Sequence, residues 1–266
     1  DPRALLAVWA VTGVIMIGGA LAFAELATRF PQAGGDYVYL REAFGPSAAF
    51  AAGWCLFAAI FAGSIAAVAV ALCRFQLPLL LGLNLGAPVF AAPLIGPISG
   101  VQLVAIAVVF ALTGLNVFGI RLSAAVQRIT TLLPAALLAL LAVACLLLRA
   151  VDALPAGLPA ASAATPSGTT LVHAYLLAYF AYSGWNAVVY VAGEVRDPAR
   201  NLPLALLGGT GAVTALYVLL CAGFIAALGM GGLAKSGEAG SASAAVLLGE
   251  TGRWLMGALI AISLLS

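Results

Sequence analysis

The segment FAYSGWN, at residues 180–186, puts polar side chains into the middle of the apolar run from 171 to 192. Gly184 lowers helix propensity, and the side chains of Ser183 and Asn186 offer hydrogen bonds that compete with a helix. Non-helical backbone at mid-membrane depth persists only where it lines a cavity or is buried in protein. In transporters, such broken helices direct N–H groups at a carboxylate and carbonyls at an ammonium or a cation. The alternative is a Gly/Ser notch that packs against a neighbouring helix, and this segment alone leaves both interpretations open.

Ser183 also raises the alternative of a hydrolytic enzyme, because a converging serine and histidine form a nucleophile and its base. His173 is the only histidine in the chain, and it precedes Ser183 by ten residues on the same predicted helix. That spacing separates them by about 15 Å along the helix axis, so the two side chains cannot meet. The chain also has no GxSxG motif. We therefore expect no enzyme, with an intramembrane enzyme or a channel-like helical bundle as the alternative classes.

The channel alternative has little support, because no repeated filter sequence or ring of acids appears in the chain.

His173 is either a proton relay or an interfacial side chain at a helix end. Glu25 and Glu194 lie near predicted membrane–water boundaries, where a carboxylate stays solvated. We assign neither acid to ion translocation, although acids within a membrane are functional candidates by default.

The sequence predicts neither a cofactor nor a metal site. None of the cysteines has CxxC spacing or a second ligand nearby, and all of them lie in or beside apolar runs: Cys55, Cys73, Cys145 and Cys221. This pattern is typical of small hydrophobic residues buried between helices, and it supports neither a disulfide framework nor metal ligation.

The elements that position these residues are predicted to be membrane helices. Hydrophobic residues make up 64% of the chain and charged residues only 8%, against roughly a quarter charged in soluble domains. Nine acids and eleven bases among 266 residues cannot coat a soluble globule of this size, whereas lipid-facing surface is apolar. The net charge of +2 gives no basic field for nucleic acid. The lipid bilayer is thus an expected partner, and nucleic acid is not.

Spanning about 30 Å of hydrocarbon takes about 20 helical residues. Four prolines within 77–98 predict an irregular connection or a re-entrant segment, and the Pro-, Ala- and Ser-rich stretch 150–168 predicts an exposed loop. A Gly/Ser-rich link is expected before Trp254. The chain is predicted to form a single transmembrane domain over 1–266 with six full spans and a partial seventh, at about 4–27, 47–72, 100–118, 129–148, 171–192, 202–228 and 254–266.

The two ends predict that the chain is an internal fragment of a longer protein. It starts with Asp1, enters a predicted span almost at once, and stops at Ser266 inside another apolar run. The first run lacks the basic flank and the small-residue cleavage site of a signal peptide. Arginine outnumbers lysine ten to one, and the spans are rich in Ala, Leu and Gly. This composition indicates a GC-rich bacterial genome, so we expect a location in the bacterial cytoplasmic (inner) membrane.

A second unusual segment is the loop ELATRFPQAGGDYVYLREAFGP at residues 25–46. Pro31 is expected to stop the preceding helix, and the Gly34–Gly35 pair permits a tight turn with positive φ. Tyr37 and Tyr39 are typical of an interfacial aromatic belt. The residues alone predict a capped loop with interfacial aromatics.

This loop and the segment FAYSGWNAVVYVAGEVRDPARNLPLAL, at 180–206, together resemble two regions of the amino acid–polyamine–organocation (APC) superfamily. The first resembles the loop after the family's second helix, and the second resembles its sixth helix and following loop. The closest similarity is to the L-type amino acid transporter branch and bacterial amino acid exchangers. The resemblance implies an all-α membrane protein with the APC-type inverted-repeat transporter fold, truncated to run from the second helix into the eighth.

The implied function is secondary active transport of amino acids across the membrane, by a permease or exchanger that works by alternating access. Phe180 matches an aromatic gate over the substrate, and Trp185 and Asn186 would shape the side-chain pocket. Glu194, Arg200 and Pro203 match the family's cytoplasmic loop and are implied to be structural. The substrate-binding residues implied by the resemblance are Phe180, Ala181, Tyr182, Ser183, Gly184, Trp185 and Asn186, of which the last six present backbone carbonyls to the amino group.

Two departures from the family pattern bear on this site. The resemblance begins at the family's second helix, so the first helix, whose glycine-rich break binds the substrate carboxylate in the family, is expected to be missing and the chain to carry only half of the implied site. Many members place a lysine in the fifth helix, where its ammonium replaces a sodium ion, but Pro134 stands at that position here. Proton or sodium coupling is therefore left open, and whether a partner subunit exists is unknown.

Overall fold

A computed structural model describes residues 1–92, 96–117, 120–154 and 167–265 of the chain. Helices account for most of these residues, as an apolar chain in a bilayer requires, because a helix satisfies its backbone groups internally. The helices are α1 (Pro2–Arg29), α2 (Asp36–Phe44), α3 (Pro46–Cys55), α4 (Ala62–Ala71), α5 (Leu77–Leu81), α6 (Gly100–Val117), α7 (Ile120–Ala150), α8 (Gly168–Ala181), α9 (Pro198–Lys235) and α10 (Ala239–Leu264).

Five helical segments of the described chain are long and apolar enough to cross a membrane by length and composition. They are Pro2–Arg29, Pro46–Leu81, Gln127–Ala150, Pro198–Lys235 and Ala239–Leu264, and a shorter apolar helix covers Gly100–Gly114. The prediction of an all-α membrane protein is confirmed.

The second of these segments is longer than the sequence predicts. Its three α-helices, α3 to α5, are joined without a break by two π-helical turns, Leu56–Phe61 and Leu72–Gln76. The helix therefore continues past Leu72, where the predicted span ends, to Leu81. Pro78 lies directly after the second π-helical turn and does not end the helix.

The proline-rich connection after this helix is ordered rather than irregular. Strand β1 (Pro88–Ala92) pairs antiparallel with β2 (Gly96–Ser99) in a two-stranded hairpin. Pro88 and Pro97 fit there because each strand of an isolated pair has a free edge on which no N–H donor is required.

Most of the Gly/Ser-rich link expected before Trp254 is helical. Helix α9, which is interrupted by the non-helical residue Gly229 (φ +66°), ends at Lys235, and α10 begins at Ala239. The Glu238 carboxylate caps α10 by accepting hydrogen bonds from the N–H groups of Gly240 (2.8 Å) and Ser241 (3.0 Å). The sequence here is polar and rich in glycine, so it did not predict a helix. The cap at Glu238 stabilises the start of that helix.

Helix α10 folds back on itself at Gly249, which has φ +65°. Its two arms pack closely: a Cβ at Gly252 would lie 2.5 Å from the carbonyl oxygen of Ala244, and one at Gly240 would lie 3.6 Å from Met256 Cγ. Gly249 therefore makes the reversal possible, and Gly252 makes the close approach of the arms possible. The loop predicted at 150–168 lies mostly outside the described residues.

The described residues form two compact units. The first takes those in 1–57, 167–225 and 229–232, and the second takes those in 58–154, 226–228 and 233–265. The prediction that 1–266 is one transporter domain with seven spans stays a prediction. In the first unit, Ala20, Ala24 and Ala27 recur along one face of α1 at helical spacing and are buried. These small side chains let Val189, Leu202 and Leu206 pack closely against that face.

Candidate functional site

The break predicted in the helix at residues 183–186 is present in the structure. Helix α8 ends at Ala181, a run of turns follows, and a 3₁₀ helix covers Ala187–Glu194. Gly184 has φ +94°, a conformation that L side chains rarely adopt. No atom of the described residues lies within 4 Å of a Cβ built there. The backbone conformation therefore requires glycine at this position. No described neighbour packs against Gly184, as the packing-notch alternative would need.

The carbonyl groups at the end of α8 already accept hydrogen bonds from protein groups. Ser183 donates to the Phe180 oxygen through its N–H (3.0 Å) and its hydroxyl (2.7 Å), and the Tyr217 hydroxyl donates to the Ala181 oxygen (2.9 Å). A carbonyl oxygen has two lone pairs, so the Ala181 oxygen retains room for a second donor. These bonds hold the end of the broken helix in one geometry.

A cavity of about 280 Å³ adjoins the break. None of the described residues that line it is charged, and those with polar side chains are Tyr182, Ser183, Trp185, Thr210 and Tyr217. Such a cavity suits a small solute whose charges are met by backbone dipoles rather than by counter-ions. The residues that line it are Ala181, Tyr182, Ser183, Gly184, Trp185, Gly209, Thr210, Val213 and Tyr217.

Five of the seven predicted binding residues, 181–185, line this cavity, and two do not. Phe180 lies on the last turn of α8 with its side chain 62% exposed. Asn186 is half-buried beyond the cavity, where it faces Asp36 and Tyr190. The structure thus brings five of these residues together at one cavity, while the binding role of all seven stays a prediction.

Tyr182 is the buried anchor of the break, with only 3% of its surface exposed. Its hydroxyl donates to the backbone oxygen of Trp9 on α1 (3.1 Å). Its ring lies 4.9 Å from that of Tyr217 on α9, edge to face, and 6.0 Å from that of Trp9. Tyr182 therefore ties the break to two neighbouring helices, a role that the sequence did not show.

The close fit around Tyr182 depends on Gly13, because a Cβ there would overlap the Thr214 side chain and lie 2.8 Å from the Tyr182 hydroxyl. We expect Gly13→Ala to lower stability by about 2 kcal/mol, as overpacking does. On the same helix, Gly18 has no described atom within 4 Å of its Cβ. Gly18→Ala should be neutral or stabilising by up to about 1 kcal/mol. The measurement is the temperature at which detergent-solubilised protein loses its monodisperse peak, and equal midpoints for the two variants would contradict this account.

Trp185 packs beside the cavity against α1. Its ring lies 5.0 Å from that of Phe23 in an edge-to-face arrangement. A Cβ on Gly19 would lie 3.2 Å from Trp185 Cζ2, so this glycine leaves room for the indole. Trp185 is thus held by the hydrophobic core of its unit while it lines the cavity.

Asn186 joins a polar cluster that connects the two unusual segments of the sequence. The Tyr190 hydroxyl donates to Asp36 Oδ2 (2.5 Å), and Asn186 Nδ2 lies 3.5 Å from that oxygen and 3.3 Å from the Tyr190 hydroxyl. The backbone reinforces this link, since the Gly34 N–H donates to the Tyr190 carbonyl (3.1 Å). Sequence reasoning missed Asp36 and Tyr190, because nothing in one sequence pairs residues 154 positions apart.

The loop at 25–46 is more structured than expected, because α2 occupies Asp36–Phe44. Tyr37 is exposed as an interfacial residue would be, but Tyr39 is buried between Phe23 and Phe30. The assignment of Tyr39 to an interfacial belt is therefore wrong. Burial raises the pKa of Tyr39, and the nearby Asp36 carboxylate raises it further, so this phenol stays neutral.

The other candidates of the sequence lie away from the break. His173 is exposed on α8, two turns before its end, and Glu194 is exposed at the end of the 3₁₀ helix. Glu25 is exposed and pairs with Arg29, one turn along α1. Among the described residues, no group of three or more His, Cys, Asp and Glu side chains could hold a metal ion.

Comparison with known proteins gives consistent similarities along the whole chain. The family model described as amino acid permease matches residues 2–266. The human b(0,+)-type amino acid transporter 1 is 32% identical over 216 residues, which cover 81% of this chain and 42% of that protein. The human and rat large neutral amino acids transporter small subunit 2 are each 31% identical over 261 residues, or 97% of this chain and 47% of theirs. The chain spans about half the length of the relatives it matches.

Proposed function

The chain belongs to the amino acid permease family, and we propose that its protein is a secondary active transporter that moves amino acids across the membrane by alternating access. The observation that carries the proposal is the broken helix at 182–186 beside a small cavity without charged side chains. A zwitterionic amino acid needs donors for its carboxylate and acceptors for its ammonium, and the carbonyl end of this broken helix supplies the acceptors.

The relatives support the same substrate class. Both kinds are named as amino acid transporters, one of them for large neutral amino acids. The described residues that line the cavity beside the break are all uncharged, and a neutral wall of this kind suits a neutral amino acid side chain better than a charged one. We therefore propose neutral amino acids as the substrates.

Residues 180–186 are the proposed substrate-binding set. Ala181, Ser183 and Gly184 are the members whose backbone borders the cavity and whose surfaces are exposed, so they are the proposed contacts of the ammonium group. Trp185 is proposed to line the pocket for the substrate side chain. Tyr182 would act through its packing, because its hydroxyl is already bonded to Trp9.

The location of the protein and its partners are also proposals. The chain is an integral membrane protein, and we propose the bacterial cytoplasmic membrane as its location, on the composition of its spans. The amino acid and the surrounding lipid are its proposed partners. A second subunit is suggested only by the words "small subunit" in the name of one relative.

The test is uptake of labelled amino acids by protein made from its complete coding sequence and reconstituted into proteoliposomes. We expect saturable uptake of at least one neutral amino acid, and faster uptake when the vesicles are preloaded with unlabelled substrate if the protein is an exchanger. Vesicles without protein are the control. The proposal fails if no amino acid is taken up with or without internal substrate, and uptake that does not saturate would favour a channel instead.

A further inference from the structure

We propose that Asp36 and Tyr190 are positioning residues that hold the Asn186 amide in place and thereby set the preference of the site among amino acid side chains. The inference rests on the proposed transport function and adds two residues outside the segment 180–186. We call the Asp36–Tyr190 pair, together with its contact to Asn186, the clasp.

The distances show which contact in the clasp anchors the others. The 2.5 Å separation between the Tyr190 hydroxyl and Asp36 Oδ2 is typical of a strong bond from a hydroxyl to a carboxylate. The two contacts of Asn186 Nδ2, at 3.3 and 3.5 Å, are longer and weaker. The Asn186 amide therefore adjusts to a pair that forms without it.

Asp36 is itself held firmly by its place in the fold. It begins α2 directly after Gly35, and a carboxylate in the first turn of a helix is favoured by the helix dipole. Two and three residues further along α2, Val38 and Tyr39 lie in the same hydrophobic core as Val189. Asp36 thus presents its carboxylate from a fixed point.

Tyr190 is fixed from two sides, since its carbonyl accepts the Gly34 N–H and its ring lies against Gly35. Because an amide group is planar, fixing Asn186 Nδ2 also fixes the direction of its Oδ1 acceptor. Asn186 does not line the cavity itself, but it directly follows Trp185, which does, so the position of Asn186 fixes the backbone beside the proposed side-chain pocket. The clasp therefore holds the residue that adjoins the pocket wall.

The experiment compares kcat/KM for uptake of two neutral amino acids of different size in proteoliposomes, using protein from the complete coding sequence. Tyr190→Phe removes one hydroxyl, and Asp36→Ala removes the acceptor. Each is expected to change the ratio of the two kcat/KM values by about threefold or more, the effect of one net hydrogen bond. Asp36→Asn keeps an acceptor and should stay closer to the wild-type ratio.

Asn186→Ala tests whether the clasp changes the selectivity ratio through Asn186. If the clasp acts through Asn186, then adding Tyr190→Phe to Asn186→Ala changes the ratio no further, since coupled residues are not additive. Ratios that multiply in the double variant would overturn the proposal. So would an unchanged ratio in Tyr190→Phe, because a purely structural defect lowers both uptake rates by the same factor.

The controls are matched residues on α2. Tyr37→Phe removes an exposed phenol, and Glu42→Ala removes an exposed acid that pairs with Arg41. Both should leave the ratio at its wild-type value. A changed ratio in either control would mean that any alteration of α2 affects selectivity, which overturns the specific role of the clasp.

A second measurement does not depend on transport. Ser183, which is exposed, is replaced by cysteine in a background without the four native cysteines, and its rate of maleimide labelling is measured in membranes. Tyr190→Phe is expected to change that rate by about threefold or more as the break loosens. An unchanged rate would overturn the positioning role. A changed rate in a protein that transports no amino acid would overturn only the proposed function.

Discussion

Gly35→Ala is expected to lower the stability of the protein by about 3 kcal/mol or more, from ~1–3 kcal/mol of backbone strain and ~1–3 kcal/mol of overpacking. Gly35 has φ +47° and ψ −121°, which only glycine adopts readily. A Cβ there would lie 2.6 Å from Val189 Cγ2 and 2.9 Å from Tyr190 Cδ1. The variant therefore disrupts the contact between the loop at 25–46 and the chain after the break. The measurement is the temperature at which the solubilised protein loses its monodisperse peak.

Gly45→Ala separates the cost of backbone strain from the cost of overpacking. Gly45 ends the same helix with φ +86°, but no described atom lies within 4 Å of its Cβ, so its replacement brings strain without overlap. It should cost about half as much as Gly35→Ala. Adding Val189→Ala to Gly35→Ala should recover part of the loss, because it removes the nearest methyl group. A double variant whose losses simply add would show that the overlap with Val189 plays no part.

The membrane helices and the break were predictable because both depend on local composition. The scarcity of charge and the length of the apolar runs indicate spans whatever their neighbours are. The Ser183–Gly184 pair is poor helix sequence at any depth, and the structure gives Gly184 the positive φ that its type permits. Features of this kind need no knowledge of tertiary contacts.

Helix α2 and the first part of α10, before Trp254, were not predicted, because their stability depends on contacts that local composition does not show. Helix α2 is short and polar and lies between two glycines, so neither length nor apolar run reveals it. Its stability comes from packing, since Val38 and Tyr39 enter the core beside Val189. The start of α10 was hidden by Gly and Ser residues, and its cap by Glu238 and the tight fit at Gly252 become visible only when the arms are folded together.

The clasp could not be predicted from one sequence at all. Asp36 and Tyr190 belong to segments that are each interpretable alone, one as a capped loop and one as a broken helix. Their 2.5 Å contact arises only because Gly34 and Gly35 bring the loop against the 3₁₀ helix. Both segments of the candidate site were predictable from the sequence, but the contact between them is visible only in the folded structure.

Phe180→Ala is expected to reduce amino acid uptake by roughly a hundredfold, equivalent to about 2.7 kcal/mol in the transport barrier, while expression and stability change little. The stability expectation follows from the 62% exposure of the side chain, because truncating an exposed ring removes little buried area. The transport expectation follows from the place of Phe180 on the last turn of α8, next to the cavity residue Ala181. An aromatic ring there can cover a bound substrate only if it is free to move, and its exposure leaves it free.

Leu177→Ala is the matched control for this prediction. Leu177 lies one turn earlier on the same helix and is 74% exposed, so its truncation removes a similar apolar surface at a greater distance from the break. It should leave uptake near the wild-type level, and Phe180→Tyr, which keeps the ring, should retain most of it. If Phe180→Ala transports with wild-type kinetics, Phe180 has no part in gating, and if Leu177→Ala is equally impaired, the defect reflects the surface of α8 rather than a gate. Loss of uptake confined to Phe180→Ala is the result that assigns the gate to this ring.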